Sequence, residues 1–445
     1  MNVTVVGLGK IGLPLAVQFA KKGANVFGAD INQETVDLVN KGIEPFPEEE
    51  NLQKFLSEVV NSGNLSASTS TVECVAKSDA VVVVVPLFVN SKGEPDFKSM
   101  DSATEQIAKG LRKGTLVAYE TTLPVGTTRN RFTRKLEEFS GLKVGVDFHV
   151  VFSPERVLTG RVFSDLRKYP KIVGGITDLC ADKGRRFYED MIEFDVRSDL
   201  SKSNGVWVLD SAESAEFVKL AETTYRDVNI GLANQFAKFA DRLNLNIYDV
   251  IDSSNSQPYS HIHQPGVAVG GHCIPIYPQF YLWGDPEATI VDAARVNNAG
   301  MPLYLVNQIK NFFKGTQNKK VLILGASYRA DVKEMAFSGV FDLDAELKRL
   351  GFEVEVFDTL FSAGEIEAHG LKPMSSKTST FSAVVIQNAS SEFLSMFGNP
   401  SDWSELGAIY DGRNLFAGIS PIAGIPIFGI GIKDQVSLTD FSPLI

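Results

Sequence analysis

Asn2-Val3-Thr4-Val5-Val6-Gly7-Leu8-Gly9-Lys10-Ile11-Gly12-Leu13-Pro14-Leu15-Ala16 decides the fold. An apolar strand runs straight into a Gly-x-Gly-x-x-Gly turn, and an apolar helical pattern continues through Phe19 and Ala20. A second strand, Asn25 to Ala29, then ends at Asp30, 18 positions after the last glycine. A lone glycine signature is weak, but a strand before it, a helix after it and an acid at the next strand end make a complete βαβ dinucleotide fingerprint. Gly7, Gly9 and Gly12 permit the tight turn and close pyrophosphate approach, with Lys10 and Ile11 carried between them at the helix start. Asp30 is placed to accept from the ribose hydroxyls and to repel a 2′-phosphate, so NAD is expected rather than NADP. The bland alternative is a glycine-rich turn in some other α/β protein.

Outward from this unit, the apolar runs Asp79–Val85 and Thr115–Tyr119 each follow a helical stretch, as parallel strands buried on both faces do. Ligands of such sheets bind beyond the carboxyl ends of the strands. Pro86 and the segment Glu120-Thr121-Thr122-Leu123-Pro124-Val125-Gly126-Thr127-Thr128 are therefore expected at the cofactor crevice, Thr121 among the cofactor contacts. Thr127 or Thr128 could also serve as a helix cap. A strand and turn at Lys320–Ser327, a helix starting near Ser338 and a strand ending at Asp358 repeat the pattern without the glycine signature. Between the units, Phe217, Val218, Leu220, Ala221, Val228, Ile230, Leu232 and Phe236 recur at helical offsets. The fold class is α/β: two Rossmann-like doubly wound domains joined by a central helical connector. The expected parts are 1–200 for NAD, 201–305 for the connector and dimer surface, and 306–445 for a second ligand.

Composition bounds the function. With 445 residues, 44% of them apolar, the chain can build two or three cores. A net charge of −11 without a basic run argues against nucleic acid and anionic membranes as partners. Three scattered cysteines, Cys74, Cys180 and Cys273, suit neither a disulfide framework nor a metal cage, and no metal is expected. No apolar run reaches spanning length and the first strand leaves no room for a signal peptide, so the expected location is the cytoplasm.

One cysteine stands apart. Gly266-Val267-Ala268-Val269-Gly270-Gly271-His272-Cys273-Ile274-Pro275-Ile276-Tyr277-Pro278 delivers Cys273 on a loop with three glycines in six residues and prolines beyond the thiol. Close backbone approach to an anion beside a thiol is the layout of a covalent catalyst, although free cysteines elsewhere are mostly small buried hydrophobes. His272 is a neighbour in sequence only, and adjacent side chains in extended chain point apart.

With these segments, Ser153-Pro154-Glu155-Arg156-Val157-Leu158, Pro170-Lys171-Ile172-Val173-Gly174-Gly175, Lys219-Leu220-Ala221-Glu222 and Tyr225-Arg226-Asp227-Val228-Asn229-Ile230 complete a set spread over almost the whole chain. The set resembles the nucleotide-sugar 6-dehydrogenases, and within them the UDP-N-acetylmannosamine branch more than the UDP-glucose branch. The resemblance implies an NAD-dependent four-electron oxidation of a sugar C6 hydroxymethyl group to a carboxylate, through a cysteine thiohemiacetal and thioester. It implies Cys273 as nucleophile, Lys219 near the developing oxyanion, and Glu155 and Thr122 for protons and water. Arg226, Gly266, Gly270, Gly271, Tyr328 and Arg329 fall at its substrate positions, and a nucleotide-sugar substrate and a homodimer are implied. The chain also departs from the pattern. Thr223 replaces an asparagine of the oxyanion site, Tyr277 an aspartate that assists water, Tyr259 an arginine that reaches the substrate, Arg329 a lysine and Ala336 an arginine. A different sugar served by a rebuilt polar network explains this, since hydroxyls and phenols still donate and accept. The alternatives are a catalytically weak nucleotide-sugar-binding homologue and a single-step hydroxyacid dehydrogenase.

Overall fold

The structure is a computed structural model, and it describes residues 1–46, 49–90, 92–314, 319–375, 380–419, 422 and 424–433. Its backbone divides into two compact units, residues 1–222 with 279–285, and residues 223–278 with 286–433 among those described.

The first unit is built on an eight-stranded sheet in the order Val206–Leu209, Lys171–Gly175, His149–Phe152, Leu116–Tyr119, Ala80–Val83, Asn2–Val6, Asn25–Ala29, Leu65–Ser68. All neighbours are parallel except His149–Phe152 and Lys171–Gly175. Asn2–Val6 pairs Asn25–Ala29 on one side and Ala80–Val83 on the other, so strand order reverses at this first strand. That switch point opens a crevice beyond Val6 and Val83. Helices on the sheet faces, such as Gly12–Lys21 and Asp178–Met191, bury Leu13, Leu15, Phe19, Phe187 and Tyr188, which is why the valine-rich strands carry no polar face.

The second unit holds a five-stranded, wholly parallel sheet in the order Glu353–Phe357, Lys320–Leu324, Ala383–Ile386, Ala408–Asp411, Ile427–Gly429. Ser338 caps the helix Gly339–Arg349, its Oγ accepting from Val340 N, at the position expected from sequence. The helical pattern near the middle of the chain is one helix of 31 residues, Ala212–Arg242. Apart from Leu220, its buried stripe is small or polar, Ala215, Glu216, Asp227, Asn234 and Ala237, whereas Phe217, Leu232 and Phe236 are exposed. Hydrophobic periodicity identified the helix but not the buried face, because the interior along it is held by polar contacts.

Candidate active site

In the first unit the glycine turn folds as the fingerprint demands. Gly7 adopts φ +93° and its N–H bonds Ala29 O at 2.8 Å. A Cβ on Gly12 would sit 1.8 Å from Gly7 O, so any side chain there would break the turn. A Cβ on Gly9 would meet nothing within 4 Å, which leaves open space above the exposed turn. Asp30 accepts from Leu8 N at 2.7 Å and Asn32 N at 2.9 Å, fixing its carboxylate beside the turn. Space at Gly9, amides at a helix start and a braced acid fit a dinucleotide. Lys10 and Ile11 are half-buried and Pro86 is exposed. Thr121 Oγ1 donates to Val85 O at 2.7 Å, tying the segment after Tyr119 to the end of the neighbouring strand.

That segment is organised by a residue the sequence reading missed. Glu216, wholly buried, accepts from Gly126 N at 2.5 Å, Thr128 N at 2.8 Å and Thr128 Oγ1 at 2.6 Å. No threonine hydroxyl caps the π-helical turn Thr128–Thr133. Thr128 instead spends its hydroxyl on Glu216, and this carboxylate replaces the expected cap. Burial pushes Glu216 up to about 7, against the donors that favour its ionised form. Thr122, in the same segment, is 4% exposed.

Glu155 belongs to a buried ionic cluster. Lys171 Nζ lies 2.8 Å from both Glu120 Oε2 and Glu155 Oε2, and Tyr188 Oη donates to Glu120 Oε1 at 2.6 Å. Burial raises both carboxylates, yet for Glu155 the charge and hydrogen bond of Lys171 and the N–H of Arg156 win and hold it below the usual value. Glu120, deeper and facing Glu155, is pushed up to about 7 by burial despite Lys171. Lys171 stays above its ordinary value because its two carboxylates outweigh desolvation. The lysine between the two carboxylates thus favours the ionised form of Glu155. Arg156 pairs with Glu222 at 2.6 Å, which docks the Glu155 loop one helical turn from Lys219. Lys171 had no visible signal beyond its motif, since its partners lie 51 and 16 residues away.

In the second unit, Cys273 is exposed, whereas Cys74 and Cys180 are buried. Its loop leans on the segment after Lys320–Leu324. Gly271 N donates to Ala336 O at 3.2 Å, and a Cβ on Gly270 would lie 2.7 Å from both Phe337 O and Tyr328 Cβ. Tyr328 is thus brought against Gly270 and Gly271. Phe337 itself takes φ +51°, a left-handed conformation costly for an aromatic residue. His272 Nε2 faces Glu334 Oε2 at 3.7 Å. Arg413, also missed, donates from Nε to Gln387 O and from Nη2 to Ala268 O, both at 2.8 Å. A Cβ on Gly266 would meet Arg413 Nη1 at 2.3 Å, so a side chain there would displace the guanidinium from Ala268. Thr223 is buried on the long helix and Tyr277 half-buried, its N–H bonding Cys273 O at 2.9 Å. Arg226 and Arg329 are exposed, and Tyr259 is 92% exposed on the segment after Ile247–Asn255.

The chain thus combines a glycine-turn dinucleotide domain, a second parallel α/β unit and an exposed cysteine on a glycine-rich loop. The chain belongs to the UDP-glucose/GDP-mannose dehydrogenase family, matching its NAD binding domain over residues 1–192, its central domain over 213–299 and its UDP binding domain over 322–418. It is an NAD-dependent nucleotide-sugar dehydrogenase of that family. Among its relatives is a UDP-N-acetyl-D-mannosamine dehydrogenase of Campylobacter jejuni, 36% identical over 78% of this chain and 83% of that protein. Another, from Pyrococcus horikoshii, is 32% identical over 98% of this chain and all of that one. The solved UDP-D-ManNAc dehydrogenase structure from Pyrococcus horikoshii superposes with a TM-score of 0.86 at 30% identity, covering 97% and 99% of the two chains. The UDP-N-acetyl-mannosamine dehydrogenase of Staphylococcus aureus gives 0.80 at 32% identity, covering 96% and 98%. Among the described residues, no helix is long and apolar enough to cross a membrane.

Proposed function

We propose that the chain oxidises the C6 hydroxymethyl group of a UDP-N-acetylhexosamine to the carboxylate in two steps, with Cys273 holding the acyl group between them. The observation that carries this reading is the exposed thiol of Cys273 on a loop in which Gly270 leaves no room for a side chain. The N-acetylhexosamine assignment leans on relatives that are named for UDP-N-acetyl-D-mannosamine. Gly7, Gly9, Gly12 and Asp30 would hold NAD, with Lys10, Ile11, Pro86 and Thr121 along the same crevice, and bound NAD⁺ takes up one hydride in each oxidation.

The side chains divide the remaining work. Glu155, kept ionised by Lys171, accepts the alcohol proton directly or through a water positioned with Thr122, and later activates the hydrolytic water. The Cys273 thiolate adds to the C6 aldehyde, and the resulting tetrahedral oxygen draws on the charge of Lys219 and the hydroxyl of Thr223. Loss of the second hydride leaves a thioester, which water cleaves to carboxylate and free thiol. Tyr277 contributes a phenol where the family pattern has a carboxylate, so the hydrolytic water relies on Glu155. Gly266, Gly270, Gly271, Tyr328, Arg329, Arg226 and Tyr259 supply the substrate side. In this reading residues 1–200 serve the cofactor, 201–305 the nucleophile and self-association, and 306–445 the nucleotide. Tyr225, Leu232, Phe236 and Phe239 form an exposed apolar stripe at helical spacing on the long helix, 56%, 46%, 37% and 53% exposed, which supports a homodimer through that face. Few cysteines and no disulfide framework suit a cytoplasmic enzyme.

The test is stoichiometry on a panel of nucleotide sugars. Two NADH per sugar are expected with UDP-N-acetylmannosamine or a close relative, one would indicate a single-step dehydrogenase, and none a binding homologue. Cys273→Ser is expected to lose overall turnover by orders of magnitude while still binding NAD. Near-normal acid production by that variant removes the thiol from the mechanism.

A further inference from the structure

Both ends of the Cys273 loop terminate on one buried polar network. On the helix Ala212–Arg242, Asp227 and Asn234 lie seven residues apart and so share a face. On the helix Thr289–Ala299, Arg295 and Asn298 lie three apart and face them. Asn298 Nδ2 donates to Asp227 O at 3.0 Å and to Asp227 Oδ1 at 2.8 Å, while its Oδ1 accepts from Asn234 Nδ2 at 2.8 Å. Asp227, Asn234 and Asn298 are at most 1% exposed. Arg295 Nε pairs with Asp227 Oδ2 at 2.6 Å. From this network two arms reach out. Asn234 Oδ1 accepts from Gly266 N at 2.9 Å at the start of the loop, and Arg295 Nη1 donates to Pro275 O at 3.2 Å at its end.

Between its ends the loop is held by burial of Val267 and Ala268 in the core and by the bonds of Gly271 N to Ala336 O and of Arg413 to Ala268 O, so what remains to be fixed is its two ends. Behind it lies a cavity of about 370 Å³, lined by Ala268, Val269, Pro275, Arg295, Asn298 and Phe337 among others. The hydrogen bonds at Gly266 and Pro275 anchor the two ends of the segment that carries the thiol.

We propose that Asn234 and Arg295, locked by Asp227 and Asn298, are positioning residues that fix the placement of Cys273 for catalysis. The inference rests on Cys273 as nucleophile. Asn234→Ala removes the acceptor at Gly266. Arg295→Ala would strand Asp227 as an unpaired buried charge and could unfold the protein, so Arg295→Lys is the second variant. Lysine keeps a positive charge beside Asp227 but lacks the fork that spans Asp227 and Pro275 together. Two quantities are measured on the full chain: hydrogen exchange of the peptide 264–278 without ligand, and steady-state rates with NAD⁺ and the nucleotide sugar found in the panel. A misplacement of about 1 Å costs on the order of a hundredfold, so kcat should drop by roughly that factor while KM for NAD changes less than about twofold. The loop peptide should exchange faster in both variants, and the strand Lys320–Leu324 should keep its wild-type protection. Unchanged exchange of 264–278 in both variants, or unchanged kcat, overturns the proposal. If Cys273→Ser turns over at the wild-type rate, the nucleophile reading falls, and the exchange data alone still decide whether the clamp holds the loop.

Discussion

Glu216 accepts three donors and meets no solvent, so its ionised form depends wholly on Gly126 and Thr128. With a folded-state value near 7 against an ordinary 4.5, the folded protein holds this proton more tightly than the unfolded chain does. The sign follows directly. Its stabilising contribution is complete below the ordinary value and is lost as pH rises toward 7, with a slope of ~1.4 kcal/mol per pH unit inside that window. Glu120 acts in the same direction. Glu216→Gln should flatten the stability curve between about pH 5 and 7 by close to one proton and lower stability outright, because an amide offers one acceptor oxygen where the carboxylate offers two. Urea titrations of wild type and variant at several pH values check this, and parallel curves would show that Glu216 does not bind the proton.

At the scale of elements, the glycine loop depends on closeness more than on flexibility. A Cβ on Gly270 would press on the carbonyl of Phe337 and on Tyr328 Cβ, neither of which can rotate away. Gly270→Ala should therefore cost about 1–3 kcal/mol through overpacking and should lower kcat more than it lowers the melting temperature would suggest. A variant with wild-type stability and turnover would show that the segment 328–337 yields freely. What could be read in the sequence follows the same division. The Val-rich strands and the glycine turn were legible because local pattern and local geometry coincide there. The long helix was legible as a helix, but its buried face was not, since Glu216, Asp227 and Asn234 are buried only by virtue of partners far along the chain. Lys171 between Glu120 and Glu155, and Arg413 against Ala268, were hidden for the same reason. The glycine-rich character of the cysteine loop was legible in its composition, whereas its anchoring at Gly266 and Pro275 needed three-dimensional neighbours.

For the whole molecule, the exposed stripe on the long helix is the feature a single chain leaves open. Leu232→Asp places a charge in that stripe and should weaken self-association, read by sedimentation as a shift from dimer to monomer at micromolar concentration. An unchanged dimer would place the contact elsewhere, and a monomeric wild type would remove it. The first sheet has a different consequence. Its earliest strand, Asn2–Val6, lies inside the sheet, and one of its neighbours is Ala80–Val83. On a ribosome adding about 5–20 residues per second, roughly 4–15 s separate the synthesis of these two partners. During that interval a bare valine ladder emerges with one edge unsatisfied, so the nascent chain must be shielded or remain unpaired until its inner neighbour arrives.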